Sequence, residues 1–390
     1  MRYSNLMILA AFILFTGCQA ENQENNELSI DPGNQNENHK NDTNETDQND
    51  TDQIENDQNN HTVEEEESGE SMSLPLHDYN GEEDFLALSD LAEALDGELN
   101  VDQIHRTAEL QVENRFYYLV EEVPVLQING IHHPKEHFEF QFFEEEAYVS
   151  VGFIESALDH EYEITDESVD IQWDIEITES WEDPREVFHH DDMSVKDIIE
   201  YLSFLQSPIE DASVSTVDSH LPGAPRDYRN GYHEGIDWYD YTTEVVINTD
   251  TPILAQADGT VVRADIDFED YASHDVRNED LAKAAEVGFT PEYILDRLRG
   301  QQVWVQYDHG VMIRFAHLDS IPEEIEAGMS VDKDTVIGYV GNSGTSGALD
   351  GDNSGLHLHQ DLLIYDRLFY EPYTLEETRK IIHELWGDGI

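Results

Sequence analysis

The chain has 390 residues and carries 88 Asp and Glu against 19 Lys and Arg, a formal charge of -69 at pH 7. So acidic a surface excludes nucleic acid as the partner, because phosphate recognition needs clustered Lys and Arg. A single cysteine, Cys18, excludes a disulfide framework and any multi-cysteine metal site.

Met1 and Arg2 precede an apolar run over 6–15, which has the length of a secretory signal and is too short to span a bilayer. The run closes in Phe15-Thr16-Gly17-Cys18. These residues resemble the bacterial lipoprotein box. The resemblance implies removal of residues 1–17, a lipid on Cys18, and attachment to the outer face of a bacterial membrane. An ordinary secretory signal with an incidental cysteine is the alternative. Residues 18–72 are Asn, Asp, Glu, Gln and Thr with almost no large apolar side chains. Such a segment buries too little to offset its ordering entropy, and is expected to be a disordered acidic tether with a reach of roughly 40 Å.

Residues 73–180 contain a weak internal repeat. Phe85 to Asp96 aligns with Tyr148 to Asp159, each copy an apolar stretch followed by a helix-length segment ending Ala-Leu-Asp. Alternating residues follow in both, over 98–112 and 161–173, and strand-like runs lie between them over 117–128 and 137–143. The pattern resembles the small α+β stalk domain named after the N-terminus of copper amine oxidases. His132 and His133 are expected in a solvated turn, as are His189, His190, Asp191 and Asp192. A helical connector over 181–215 is expected to start its helix at Ser194, with Asp197 three residues on.

Three motifs over 216–373 carry the chemistry. The first is His233-Glu234-Gly235-Ile236-Asp237. Gly235 and the aromatic flanks argue for a loop or strand rather than a helix, so Glu234 is not the base of a His-Glu-x-x-His site. The second, Phe315-Ala316-His317-Leu318, follows two apolar runs joined at Gly310, a predicted hairpin with His309 bonding structurally in its turn and His317 at its end. The third, Leu356-His357-Leu358-His359, puts two histidines on one face of a strand. Together they supply three ligands and two further imidazoles, the number a catalytic zinc site requires. Arg226 and Arg229, just upstream, are suited either to holding a substrate carboxylate or to simple charge balance.

In this order the motifs resemble the lysostaphin-type (LytM-like) zinc endopeptidases of bacterial cell walls. The resemblance extends to Gly338-Tyr-Val-Gly-Asn-Ser-Gly344, to the strand–turn–strand over 252–262 and to the turn over 327–331. It implies one Zn2+ on His233, Asp237 and His359, with His317 and His357 as the imidazoles that handle protons and stabilise the developing charge. The expected fold is a mostly β catalytic domain on an antiparallel sheet, preceded by the small α+β domain and the tether. Two segments depart from the family. An insert over 265–301 is expected to be partly helical from 278, with a second helix starting at Thr290-Pro291, and either roofs the cleft or decorates an edge. A Gly/Asp-rich insert over 348–355 is expected as a flexible loop. Gln360-Asp361 replaces the usual apolar–acidic pair. A C-terminal helix over 374–390 is expected, capped by Thr374 and Glu377.

The implied activity is hydrolysis of peptide bonds in peptidoglycan. A non-enzymatic wall-binding or regulatory protein on the same fold, or a peptidase of exported peptides, are the alternatives. Self-repulsion from a charge of -69 should be relieved when salt shortens the Debye length to a few ångströms. The melting temperature is therefore expected to rise with NaCl into the molar range; a flat response in a thermal denaturation series would show that the charge does not destabilise the fold.

Overall fold

The computed structural model describes residues 70–79, 82–134, 138–165, 167–173 and 183–387. The signal-like segment, Cys18 and the tether up to residue 69 lie outside the described residues. Among the described residues no helix is long and apolar enough to cross a membrane.

The internal repeat becomes a paired structure. The apolar stretches of the two copies lie in strands Glu82–Ala87 and Glu146–Ser150, which pair antiparallel with Leu86 opposite Val149. Each strand runs into a short helix, Leu88–Ala94 or Gly152–Ser156. Each copy then turns at an Asp in left-handed backbone, Asp96 at φ 51° and Asp159 at φ 61°, a conformation the short polar side chain tolerates. Leu88 and Leu91 from one helix and Phe153 and Ile154 from the other close a single core with Ala108, Leu110 and Val169. The run over 117–128 is two strands, Arg115–Val120 and Val125–Ile128.

A five-stranded antiparallel sheet ends in Ile131–Pro134. This corrects the expectation for His132 and His133: both lie in that strand, not in a solvated turn. His132 is buried, its ring edge-on to Trp304 and its Nε2 3.3 Å from Asp366. The cause is docking, since Val123 and Val125 pack with Val262, Trp304, Met312 and Leu363 on the outer face of the next sheet. His190 is likewise buried rather than solvated, while its neighbour Asp191 stays outside and pairs with Arg367 at 3.1 Å.

The remainder is built on a mostly antiparallel sheet whose hydrogen-bonded order is Ile236–Trp238, Leu358–Ile364, Val311–Ala316, Val303–Tyr307, Gly259–Ala264, Ser330–Val331. A smaller sheet, Pro252–Leu254, Val336–Val340 and Leu318–Ser320, faces it. Val261, Val305, Ile313, Phe315, Leu358 and Leu362 from the large sheet meet Ile253, Ile337, Val340 and Leu318 from the small one in one core. Strands buried on both faces read as nearly unbroken apolar runs, which is why Val303–Tyr307 shows little alternation.

The connector and C-terminal helices belong to this core. Val195–Leu202 and Leu375–Trp386 each carry a capping box, Ser194 with Asp197 and Thr374 with Glu377. They insert Ile198, Leu202, Ile381, Ile382 and Trp386. The 265–301 insert forms two helices, His274–Val287 and Glu292–Leu298. The first begins four residues before the expected 278, because Ser273 caps it, and ends at Gly288 with φ 88°. The 348–355 segment, expected as a loop, is entered through a helical turn, Ser346–Asp350. Asn342 then holds it by donating to Asp352 O and Ser354 O at 2.9 and 3.0 Å.

Candidate metal centre

His233 and Asp237 stand on either side of Gly235, and the glycine sets their approach. A Cβ at Gly235 would lie 2.3 Å from Gln360 O and 2.7 Å from Asp361 Oδ1, so only glycine lets the segment lie flat on Leu358–Ile364. Asp237 then pairs with His359 across the sheet. Along Leu358–Ile364 the side chains alternate: Leu358 enters the core, while His357 and His359 line the cleft.

His317 sits where the chain leaves the large sheet at Ala316 and enters the small one at Leu318. Its backbone is left-handed, φ 60°, at a cost of about 1–2 kcal/mol for a residue with a Cβ. The end of the insert holds that turn: His317 N donates to Arg299 O at 2.8 Å, and Leu318 N to Gln301 O at 3.1 Å.

Each of the four imidazoles is fixed by an acceptor on its outer nitrogen. His233 Nδ1 donates to Leu221 O at 3.1 Å, His317 Nδ1 to Ser343 O at 2.7 Å, and His357 Nδ1 to Gly355 O at 2.6 Å. His359 Nε2 donates to Asp361 Oδ1 at 2.7 Å. Carbonyl and carboxylate oxygens only accept, so in each neutral ring the tautomer follows and the inner nitrogen is the one left with a lone pair. His233 Nε2, His359 Nδ1 and Asp237 Oδ1 converge, separated by 2.9, 3.1 and 2.9 Å. Edges of a tetrahedron with metal–ligand distances of about 2.0–2.1 Å are about 3.3 Å, so the trio has the spacing and chemistry of a zinc cage. Three converging lone pairs repel one another unless a cation lies among them. His357 Nε2 stands further off, 3.4 Å from Asp237 Oδ1, and its ring stacks on Tyr239 at 4.5 Å. A second close set combines His317, His357 and His359.

Burial and neighbouring charges set the ionisation of each group. Burial would raise Asp237, but His233 and His357 hold it well below the usual carboxylate range. Its other oxygen accepts from Arg226 at 3.1 Å, which leaves one oxygen for the centre. Burial would also raise Asp361, but Arg299, whose Nε donates to it at 2.8 Å, and His359 keep it ionised. Burial lowers His233 and, together with His357 and His359, lowers His317 well below its ordinary value; both rings are neutral. His359 differs: burial pushes it down, but Asp361 and Asp237 raise it to about 9, so without a metal a proton occupies the inner position.

The structure thus brings together His233, Asp237, His359, His317, His357 and Arg226 around a cleft of 680 Å3. Arg229 lines it too, but its guanidinium is spent within the fold on Glu234 at 2.5 Å, Thr290 and Tyr232 O. Of the two readings of Arg229 this geometry matches charge balance, and it accounts for Glu234, which is that arginine's counter-ion. The insert forms a wall of the cleft through Arg277, Leu298 and Arg299 rather than decorating an edge. Sequence reasoning missed Arg299, Tyr239 and His220. Gln360 turns away from the cleft to Trp238 and Gln256 at 3.0 and 2.6 Å. Only the acidic residue after the His-Leu-His motif, Asp361, carried a readable signal.

Residues 231–367 match peptidase family M23. Among solved structures, a zinc-containing peptidase from Vibrio cholerae is similar at 16% identity over 43% of this chain and 38% of its own, with a TM-score of 0.27. The chain therefore spans well under half the length of that protein. The catalytic domain of the antimicrobial peptidase lysostaphin from Staphylococcus simulans is 18% identical over 41% of this chain and 82% of its own, TM-score 0.24. The catalytic domain of the prophage-encoded M23 protein EnpA from Enterococcus faecalis is 19% identical over 44% and 96%, TM-score 0.26. No curated protein matches the chain.

A proton on His359 below about pH 9 competes with a metal. Zinc affinity is therefore expected to rise about tenfold per pH unit from pH 6 to about 9. Asp361→Asn removes a carboxylate that raises His359, so the rise should level off at lower pH and the plateau affinity should fall about 10- to 100-fold. Chelator competition across pH reads both; identical profiles would remove Asp361 from this role.

Proposed function

We propose that the chain is a cell-surface zinc metalloendopeptidase that hydrolyses peptide bonds in peptidoglycan stem peptides or cross-bridges. The observation that carries the reading is the convergence of His233 Nε2, Asp237 Oδ1 and His359 Nδ1 beside two further imidazoles, His317 and His357. The match of residues 231–367 to a peptidase family supports it. The likeness of the motifs to wall endopeptidases supports the choice of substrate.

Zn2+ held by His233 Nε2, Asp237 Oδ1 and His359 Nδ1 would polarise the scissile carbonyl and bring the pKa of a bound water toward 7. His317 is neutral because burial and its imidazole neighbours disfavour its charged form. Its Nδ1–H is committed to Ser343 O, so Nε2 is the atom that takes a proton from the attacking water and returns it to the leaving amine. His357 is locked between Gly355 O and the Tyr239 ring, and its Nε2, on the cleft side near Asp237, is placed to share the proton transfer and to stabilise the developing charge. Arg226 fixes Asp237 through its second oxygen.

Location follows from the N-terminal resemblance: Cys18 carries a lipid, and the acidic tether lets the folded part reach away from the membrane. Radiolabelled palmitate is expected on the wild-type protein and absent from Cys18→Ala, which should leave the membrane fraction; an unlabelled wild type would refute the anchor.

The purified protein is expected to hold one zinc and to release new amine termini from peptidoglycan. His317→Ala should keep its zinc and lose about 10²- to 10⁴-fold in kcat, while Asp237→Ala should lose the metal. Zinc binding without any release of amines would overturn the enzymatic reading in favour of a wall-binding protein.

A further inference from the structure

We propose that Arg277 forms a carboxylate subsite of the cleft, holding a carboxylate of the substrate peptide beside the bond to be cut. The proposal rests on the peptidase reading and adds the class of peptide selected.

Four arginines line the cleft in a chain with 19 basic residues against 88 acidic ones. Three are neutralised within the fold: Arg226 by Asp237, Arg229 by Glu234 and Arg299 by Asp361. Arg277, on the insert helix His274–Val287, has no carboxylate partner among the described residues. Its Nε donates to Gly344 O at 3.0 Å, which anchors the guanidinium plane and leaves the two Nη groups as a fork. The neighbouring carbonyl, Ser343 O, holds His317 Nδ1. Arg277 and His317 therefore grip consecutive peptide groups, about 3.8 Å apart in Cα spacing, and the fork stands within a residue or two of the proton-transferring imidazole.

In water an exposed arginine is satisfied by solvent. In a cleft it pairs with an incoming carboxylate bidentately, and that pairing is both strong and geometrically selective. Two of the carboxylates that line the cleft, Glu234 and Asp237, are already engaged, so neither competes for it, and Asp270, beside the anchor, accepts from Gly344 N at 3.0 Å. The carboxylate comes from an acidic side chain or from a free peptide C-terminus.

The test measures binding of two peptide pairs to the full chain carrying His317→Ala, loaded with zinc, so that nothing is cut. One pair is amidated at the C-terminus and differs by Glu against Gln. The other has neutral side chains and differs by free against amidated C-terminus. At least one acidic member is expected to bind about tenfold or more tighter than its neutral counterpart, and the pair that responds identifies the source. Adding Arg277→Gln should erase the preference, with zinc content and melting temperature unchanged. Arg277→Lys, which keeps the charge without the fork, should retain part of it. No preference in either pair, or a preference that survives Arg277→Gln and so belongs to the metal, would overturn the subsite. Failure of the wild type to cut any peptide bears on the peptidase reading alone, because binding is read in a protein that does not cut.

Discussion

The site depends on one constraint: every imidazole in it is held by its outer nitrogen. A free histidine exchanges its proton between two positions, and a cluster of four would spread that ambiguity over many states. Here Leu221 O, Ser343 O, Gly355 O and the Asp361 carboxylate remove it. Because each is an acceptor, each draws the proton outward and turns a lone pair inward. A cluster able to hold a cation follows from oxygen atoms that lie outside it.

Those oxygens come from separate parts of the chain, and the fold brings them together. Leu221 precedes the first motif. Ser343 and Gly355 flank the helical turn before the third. Asp361 needs Arg299, because a bare carboxylate buried as deeply would take up a proton and lose its grip on His359. The buried ion pair is therefore valuable less for stability, where desolvation offsets much of the attraction, than for keeping one histidine in one tautomer. The same Arg299 also gives its carbonyl to the left-handed turn at His317.

Much of this was legible in the chain. The His-x-His spacing predicted that His357 and His359 share a face, because strand alternation is strict. The capping boxes at Ser194 and Thr374 were readable because their signals are local. What stayed hidden was long-range. Nothing near Arg229 says that Glu234 and Thr290 will consume it, and nothing near Arg299 says that a residue 62 positions away will need it. His132 and His190 were misread for the same reason: a short polar run looks solvated until another sheet or helix is laid over it. Gly235 was read as a helix breaker. Its function is steric, leaving room for the Gln360 carbonyl and the Asp361 carboxylate.

The insert that ends at Arg299 has a consequence for how this fold can be altered. Its first helix is largely exposed and resembles a removable cassette, yet the last residues of the insert supply a counter-charge to Asp361 and backbone acceptors to His317 and Leu318. A graft that exchanged the whole segment for a short connection would leave a buried anion without its partner and the turn at His317 without its brace. Apart from Arg277, the exposed face of the first helix is open to redesign, but the second helix buries Ile294 and Leu298 and pairs Asp296 with Arg263, and the stretch from Arg299 to Gln301 behaves as part of the sheet it appears to decorate.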